Sequence, residues 1–333
     1  PNDVTQVVGD ITSSSGFYFD SSAKGVVIGT SCTSIGSMAF YFCSGLTGSL
    51  IIPDSVTSIG DSAFGSFLNF TSVTLGEGLL SIGFNCFEFM EGVRGDLVIP
   101  DSVITIGSGA FHSGGYDGSL TIGSSVESIG SSAFNGCNGF TGSLAIPDSV
   151  ESIGSMAFNG CSGFTGSLAI PNSVTTIGER TFSYCSGFNG SLTIGNSVTS
   201  IGGYAFDSCS GFTGDLVIPN SVTTIEGKAF LGCDGLTGNL TIGNSVTSIG
   251  ISAFFFCTGL TGDLVIPNSV TSIGSSAFSY CSSITSVSIS ATTAPTIGSN
   301  AFSSMTSVSP AQIHVPVGAT GYAASYDGLT VVY

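Results

Sequence analysis

Seven of the ten cysteines recur every 24 residues, and such a column of thiols could form disulfides or bind metal ions. The seven are Cys137, Cys161, Cys185, Cys209, Cys233, Cys257 and Cys281. Equivalent Cα atoms in stacked coils would lie about 5 Å apart, which is within the range that a disulfide can span. Seven cysteines in a row cannot all pair, and the same slot also holds Phe67, Met90 and Met305. The sequence therefore predicts buried thiols that act as small hydrophobic side chains.

The other residues offer little for metal binding or catalysis. The chain has two histidines, His112 and His314, and no Cys-x-x-Cys motif. A column of Asp and Asn could form a calcium ladder, but calcium needs several oxygens per ion and these residue types are typical of turns. That column contains Asp54, Asp101, Asp148, Asn172, Asn196, Asn220, Asn244 and Asn268. No phosphate-loop lysine follows the glycines, so we predict no cofactor, no metal site and no enzymatic activity.

These residues belong to a repeat that runs through most of the chain. A phenylalanine recurs at steps of 23 or 24, at positions 40, 64, 87, 111, 134, 158, 182, 206, 230, 254, 278 and 302. An isoleucine five residues before it keeps the same period, from Ile35 to Ile297. A period of this length is typical of a solenoid and lies within the range of leucine-rich repeats.

The apolar pattern within one repeat indicates how each coil is built. Leu264 and Ile266 alternate around Val265, which predicts a short strand with two side chains inward and one outward. The following Pro-Asn-Ser is typical of a turn. One coil cannot bury its own apolar face, but stacked neighbours bury a continuous core.

The repeat predicts a single elongated fold. We expect a right-handed leucine-rich-repeat solenoid of about twelve 23–24-residue repeats, with short β-strands stacked into parallel sheets and few helices. The solenoid would cover residues 26–305, with an N-terminal cap at residues 1–25 and a C-terminal cap at residues 306–333. Both caps would have to cover open strand edges.

Composition limits the class of partner. Lysine and arginine number 4 against 21 acidic residues, which gives a net charge of −17. Without a basic stripe to neutralise phosphates, we predict no nucleic-acid binding. No stretch of about 20 apolar residues predicts a transmembrane segment. Only 8% of the residues are charged, so Ser, Thr, Gly and Asn must form the polar surface, which suits a secreted or cell-surface protein.

The run Ile-Pro-Asp/Asn-Ser-Val-Thr-Ser-Ile-Gly-Ser-x-Ala-Phe-x-x-Cys resembles the BspA-like, or Treponema-type, leucine-rich repeat. The match is clearest in residues 53–67, 147–161, 171–185, 219–233 and 267–281. The resemblance implies an extracellular protein that attaches to host proteins or to other cells. Residues 313–322 also look like the short strand-and-helix cap that follows such arrays. This chain differs from the family in an extra glycine in most coils and in its scarcity of charge.

Two outward columns are candidates for an interaction face. One follows the strand and includes Val217 and Val265, and beside it lies a column of threonines at 175, 199, 223, 247 and 271. Exposed strands also favour such residues for their β-propensity alone. A second candidate is a set of aromatic residues on the turn before the cysteine, namely Tyr41, Phe42, Phe255, Phe256 and Tyr280. These could form a contact surface or pack locally beneath a loop.

The sequence thus predicts a non-catalytic, adhesin-like module that binds a protein or a glycan on another cell or host. One alternative is a structural subunit that binds copies of itself in an extracellular filament, with residues 328–333 as a donor strand. Another alternative is an ice-binding protein that uses the regular threonine spacing.

Overall fold

The computed structural model describes residues 4–7, 25–41, 43, 45–65 and 69–333, and for residues 4–7 only the backbone. The chain divides into two units, Pro1–Phe164 and Thr165–Tyr333. Within the described residues all regular secondary structure is β-strand. The predicted N-terminal cap lies almost wholly outside the described residues, and the candidate residue Phe42 also lies outside them.

The first unit contains twelve described strands, most of them very short. They are β1 (Val4–Val7), β2 (Gly25–Ile28), β3 (Ser34–Ile35), β4 (Thr47–Ile51), β5 (Ser58–Ile59), β6 (Asn69–Thr74), β7 (Ser81–Ile82), β8 (Leu97–Val98), β9 (Thr105–Ile106), β10 (Leu120–Thr121), β11 (Ser128–Ile129) and β12 (Ser152–Ile153).

Most coils of the second unit contain two strands. Its strands are β13 (Leu168–Ala169), β14 (Thr176–Ile177), β15 (Leu192–Thr193), β16 (Ser200–Ile201), β17 (Leu216–Val217), β18 (Thr224–Ile225), β19 (Leu240–Thr241), β20 (Ser248–Ile249), β21 (Gly262–Ile266), β22 (Ser272–Ile273), β23 (Ile284–Ile289), β24 (Thr296–Ile297), β25 (Gln312–His314), β26 (Ser325–Tyr326) and β27 (Leu329–Val332).

The two-residue strands that end in isoleucine form a parallel ladder in each unit, called here the isoleucine ladder. In the first unit it contains β3, β5, β7, β9, β11 and β12, and in the second β14, β16, β18, β20, β22 and β24. Each strand pairs in register with the next coil, as Ile249 does with Ile273. The strands of the Leu-x-Ile segment form smaller parallel sheets, such as β17 with β19. The described residues thus form a parallel β-solenoid of about twelve coils, which confirms the predicted fold class.

Stacked aromatic rings fill the core. In the first unit the repeating phenylalanines stack at centroid distances of 4.8–5.5 Å from Phe40 to Phe158. In the second unit the distances from Phe182 to Phe302 are 5.2–5.9 Å. The near-parallel rings follow from the coil spacing, because identical side chains at equivalent positions can only repeat one rotamer.

The glycine after the isoleucine allows the coils to approach closely. A Cβ atom on Gly274 would lie 2.4 Å from the backbone nitrogen of Ile251 in the preceding coil. A side chain at Gly274 would therefore need the neighbouring coil to shift, and glycine follows the isoleucine in every described coil except that of Ile225, where Glu226 takes the position.

The C-terminal segment closes the last coil of the second unit. Strand β27 pairs in parallel with β25 and antiparallel with β26. The Phe278 amide donates to the Ala301 carbonyl of the next coil, whereas the Phe302 amide donates to the Asp327 carboxylate at 2.8 Å. Residues 313–322 contain the predicted strand, but turns follow it where a helix was expected. The boundaries of the two caps remain a prediction.

Candidate interaction surface

All ten cysteine side chains are buried thiols, as predicted for the cysteine column. In the second unit the Cys209 thiol donates to the Phe182 carbonyl at 3.0 Å. Three more thiols repeat this contact at 3.1 Å: Cys233 to Phe206, Cys257 to Phe230 and Cys281 to Phe254. The column therefore packs as small hydrophobic residues and also saturates one carbonyl per coil, a role that the sequence did not reveal.

These thiols are poorly suited to redox chemistry or metal binding. Burial raises the pKa of Cys137 and of Cys281 to about 12, so the reactive thiolate is scarce at neutral pH. Among the described residues, no group of three or more His, Cys, Asp or Glu side chains is arranged to hold a metal ion.

The five predicted threonines form one exposed column in the second unit, called here the threonine column. Each precedes a strand of the isoleucine ladder, as Thr223 precedes β18 and Thr271 precedes β22. The backbone carbonyl of each accepts the amide of the next at 2.8 Å, from Thr175 to Thr271. This ladder fixes the spacing of the side chains at about 4.8 Å.

The hydroxyl protons of the threonine column are used within the protein. The Thr199, Thr223, Thr247 and Thr271 hydroxyls each donate to the carbonyl of the preceding threonine at 3.1 Å. A hydroxyl has one proton and two lone pairs. The column therefore presents methyl groups and hydrogen-bond acceptors to solvent.

Val217 and Val265 belong to a separate set of strands. They are exposed on β17 and β21, whereas the threonine column flanks the isoleucine ladder. A column of exposed asparagines in the intervening turn lies between the two. A groove of about 640 Å³ along the β19 and β21 side is lined by Thr241, Val265 and Asn268 among others. The two predicted columns are thus neighbours across a turn.

The same position in the first unit has a different composition. Its residues are Thr33, Thr57, Leu80, Ile104, Glu127 and Glu151, all exposed. The sequence interpretation did not include Leu80 and Ile104, whose side chains are 48% and 41% exposed. Their period alone could have identified them, because they lie 23 or 24 residues from their neighbours.

The Asp and Asn column performs turn chemistry in both units. In the first unit the Asp101 carboxylate accepts the Ser124 amide of the next coil at 2.7 Å. In the second unit the Asn172 side-chain oxygen accepts the Asn196 amide at 2.7 Å, and Asn220 does the same for Asn244 at 2.8 Å. Because this oxygen must face an amide donor, the NH2 groups of Asn172 and Asn220 face away from it.

Three of the predicted aromatic residues form one cluster in the second unit. Phe256 and Tyr280 stack at 5.0 Å, and Phe255 lies 5.5 Å and 5.4 Å from them. Phe256 is 47% and Tyr280 43% exposed, while Phe255 is half-buried. Tyr41, in the first unit, is half-buried. The structure therefore brings together three of the four described candidates.

Phe256 and Tyr280 also have left-handed backbones, with φ of 64° and 63°. The Phe256 amide donates to Ser279 and the Tyr280 amide to Ser303, both carbonyls of the next coil. The equivalent position is glycine in other coils, such as Gly232 with φ of 67°. A bulky residue there costs on the order of 1 kcal/mol or more, so the stacking geometry demands this φ but does not demand an aromatic ring.

A second cluster in the second unit was missed by sequence analysis. The Tyr204 ring lies between Arg180, at 4.4 Å from the ring centroid, and Lys228, at 4.8 Å. Lys228 also donates to the Tyr204 hydroxyl at 2.8 Å, and Arg180 pairs with Glu179. The three residues occupy the position two before the repeating phenylalanine, so their period of 24 could have revealed the cluster.

The carboxyl group of Asp207 lies near these cations. Asp207 is buried and accepts a hydrogen bond from the Ser208 hydroxyl at 2.9 Å. Burial raises the pKa of Asp207, and the Ser208 hydroxyl and the charges of Arg180 and Lys228 partly oppose that rise.

Comparison with known proteins matches this repeat to one family. The model of the BspA type leucine rich repeat region matches residues 11–141, 128–261 and 212–324. No curated protein matches the chain. Among the described residues, the structure has no helix that could span a membrane.

Two solved structures share the fold. A leucine-rich repeat protein from Bacteroides ovatus has 24% identity and a TM-score of 0.56, with 90% of this chain and 87% of that chain covered. The pneumococcal vaccine antigen PcpA has 18% identity and a TM-score of 0.52, with 96% of this chain and 86% of that chain covered. In each comparison the agreement in fold covers most of this chain and most of the solved protein.

Proposed function

Because the chain belongs to the BspA type leucine-rich-repeat family, we propose that it is a non-catalytic interaction module of the cell surface. It binds a protein or a glycan through the threonine column of its second unit. The acidic, Ser- and Thr-rich composition and the description of the similar pneumococcal protein as a vaccine antigen support an extracellular location.

The observation that carries this proposal is the ordered surface of the threonine column. Five exposed threonines form the column, and the hydroxyl protons of four of them, from Thr199 to Thr271, already bond to the backbone. Side chains fixed in this way lose little conformational entropy when a partner binds. An uncharged column in a chain of net charge −17 also avoids the cost of desolvating charged groups.

The experiment replaces part of the threonine column with the residues that the first unit carries. The double variant Thr223→Glu/Thr247→Glu copies Glu127 and Glu151, and the matched control is Glu127→Thr/Glu151→Thr. Both variants and the wild type are applied to arrays of defined glycans and of purified extracellular proteins. We expect at least a tenfold loss of binding in the first variant only. Binding that is unchanged in both variants, or no binding by the wild type, contradicts the proposal.

The two alternative functions have less support. The terminal segment predicted as a donor strand already pairs on both sides as β27. The backbone amide of Phe302, which lacks a further coil to bond to, donates to the Asp327 carboxylate. Ice binding would use hydroxyl donors, but the protons of four of the threonines are committed to carbonyls. Light scattering after size exclusion checks the first point, because a self-assembling subunit would exceed the 33.3 kDa monomer.

A further inference from the structure

A second surface of the second unit combines exposed aromatic rings with the only Lys and Arg side chains of that unit. Its first component is the left-handed position before each cysteine, occupied in successive coils by Tyr184, Ser208, Gly232, Phe256 and Tyr280. Tyr184 is 57% exposed and begins this series, and Phe256 lies three coils further on. Three steps of about 4.8 Å separate the two rings by roughly 14 Å, with only small side chains between them.

The backbone holds this series in place. The Tyr184 amide donates to Asp207, the Ser208 amide to Leu231 and the Gly232 amide to Phe255, at 2.7–2.8 Å. Glycine fits these left-handed positions without strain, so backbone geometry does not explain the aromatic rings at either end. Ser208 and Gly232 occupy the same position with the same left-handed backbone, so the fold does not require an aromatic ring there.

The second component is the cation cluster four residues earlier in the same turns. Arg180 is paired with Glu179, but no carboxylate of the described residues lies within 4 Å of the Lys228 ammonium group. Lys228 donates one proton to Tyr204, which leaves two for a ligand. Because the Tyr204 oxygen accepts that bond, its own O–H can donate beside the ammonium.

Charge complementarity identifies the ligand as an anion. Arg180 and Lys228 are the only Lys and Arg of the second unit, and both contact the Tyr204 ring. The carboxylates of this unit are those of Glu179, Asp207, Asp215, Glu226, Asp234, Asp263 and Asp327. An anionic ligand is repelled over most of this surface and attracted at Lys228. Neither nearby carboxyl group contacts Lys228 directly: that of Glu226 accepts the Gly203 amide at 2.9 Å, and that of Asp207, whose pKa burial raises, accepts the Ser208 hydroxyl at 2.9 Å.

We propose that this surface binds a short acidic glycan, a chain of two to four sugars with at least one carboxylate. Lys228 and the Tyr204 hydroxyl bind the carboxylate. The exposed rings of Tyr184 and Phe256 contact the apolar faces of the sugars, and their separation matches two to three sugar units rather than one. The site is separate from the threonine column and stands without it.

The test measures binding of oligogalacturonates of two to four residues by calorimetry, with maltotriose as the neutral probe. The variants are Lys228→Gln and Phe256→Gly, the second of which installs the residue that Gly232 provides in a neighbouring coil. Arg94→Gln in the first unit is the control, because it removes one positive charge from the chain as Lys228→Gln does. We expect binding of the acidic oligosaccharides only, a tenfold or greater loss in both variants, and no loss in the control.

Several results would overturn the proposal. They are equal binding of maltotriose, acidic binding that Lys228→Gln leaves unchanged, no binding of any oligogalacturonate, or tighter binding of polyglutamate, which would indicate an acidic polypeptide. Failure here is distinguishable from failure of the proposed function. Array binding lost in Thr223→Glu/Thr247→Glu but kept in Lys228→Gln supports the threonine column, whereas oligogalacturonate binding lost in Lys228→Gln but kept in Thr223→Glu/Thr247→Glu supports this site.

Discussion

The two units share an interior but differ at their surfaces. The position that holds five threonines in the second unit holds Leu80, Ile104, Glu127 and Glu151 in four coils of the first. The turn position before it includes Asp54, Asp101 and Asp148 in the first unit and is asparagine in the five coils of the second unit that carry the threonine column. Inside, the isoleucine and phenylalanine columns run unchanged through both.

This difference separates the demands of the fold from those of function. An inward residue must match its neighbours in the coils on both sides, so a change at one coil disturbs two contacts. An outward residue needs only to be compatible with the local backbone conformation. The uncharged threonine column of the second unit is therefore free to differ from the apolar and acidic residues at the same position of the first unit, although both units have the isoleucine ladder.

The largest expected effect tests whether the two interiors are equivalent. Phe134→Ala in the first unit and Phe230→Ala in the second each remove a fully buried ring that stacks on both sides at 5.2–5.4 Å. Each should lower the free energy of unfolding by about 3–5 kcal/mol. Hydrogen exchange can measure the loss coil by coil, since a repeat array need not unfold in two states. A cost below about 1 kcal/mol in one unit alone would show that the interiors are not equivalent.

The next effect comes from an exception within the first unit's core. Tyr116 occupies a slot that is phenylalanine in the next coils, and its buried hydroxyl has no hydrogen-bond partner in the described part of the chain. Burial also raises the pKa of Tyr116 well above its usual value. Tyr116→Phe should raise the free energy of unfolding by about 1–2 kcal/mol, because it removes an unsatisfied polar group. Chemical denaturation can measure it.

The second unit provides the reverse substitution as a control. Phe212 is fully buried and stacks on Phe188 at 5.1 Å. Phe212→Tyr should destabilise the protein, by burying a hydroxyl where the core offers only rings. A loss of stability in Tyr116→Phe would instead indicate that a buried water satisfies the Tyr116 hydroxyl.

The sequence predicted the solenoid because its signal lies in period and residue type. The Leu264–Ile266 alternation correctly indicated a strand, since three residues suffice to show it. The isoleucine ladder was not identified as a strand, because Ser272–Ile273 is too short to alternate. Its pairing depends on contacts between residues 24 positions apart, and these appear only once the coils are stacked.

The surface was less predictable from the sequence. The threonine column and the cluster of Phe255, Phe256 and Tyr280 follow from counting positions. The left-handed φ of Phe256 and the position of the Tyr204 ring between two cations do not, since non-glycine residues seldom adopt that backbone. Both arise because a carbonyl of the next coil accepts the backbone amide of each residue. This contact between coils exists only in the folded structure.

A smaller effect tests the hydroxyl bonds of the threonine column. Thr223→Val keeps the shape of the side chain but removes its bond to the Thr199 carbonyl. Unfolding free energy should fall by about 0.5–1 kcal/mol. Leu80→Thr, at the equivalent position of the first unit, adds a hydroxyl near the Thr57 carbonyl, which accepts the residue-80 amide at 2.8 Å. Its stability should stay within about 0.5 kcal/mol of the wild type. Thermal unfolding of both variants measures these changes. A larger loss of stability in Leu80→Thr than in Thr223→Val would contradict the prediction.

The smallest effect concerns acid and compares the turns of the two units. Hydrogen bonds from the Ser124 amide and hydroxyl lower the pKa of Asp101. A lowered pKa contributes stability above the unfolded value of about 3.9, and this contribution is lost as pH falls through the folded value. Protection of the Ser124 amide from hydrogen exchange should therefore decrease between about pH 5 and pH 2. The Asn196 amide should keep its protection, because the Asn172 side chain that accepts it does not titrate.

Asp101→Asn separates this local effect from the general loss of negative charge in acid. The variant gives the first unit the amide acceptor that the second unit uses, while 20 of the chain's 21 carboxylates still titrate. Protection at Ser124, expressed as a ratio to protection at Asn196, should become independent of pH in this variant. A ratio that falls equally in the wild type and in Asp101→Asn would assign the acid sensitivity to overall charge. The choice between Asp and Asn at this turn would then have no bearing on how the two units differ.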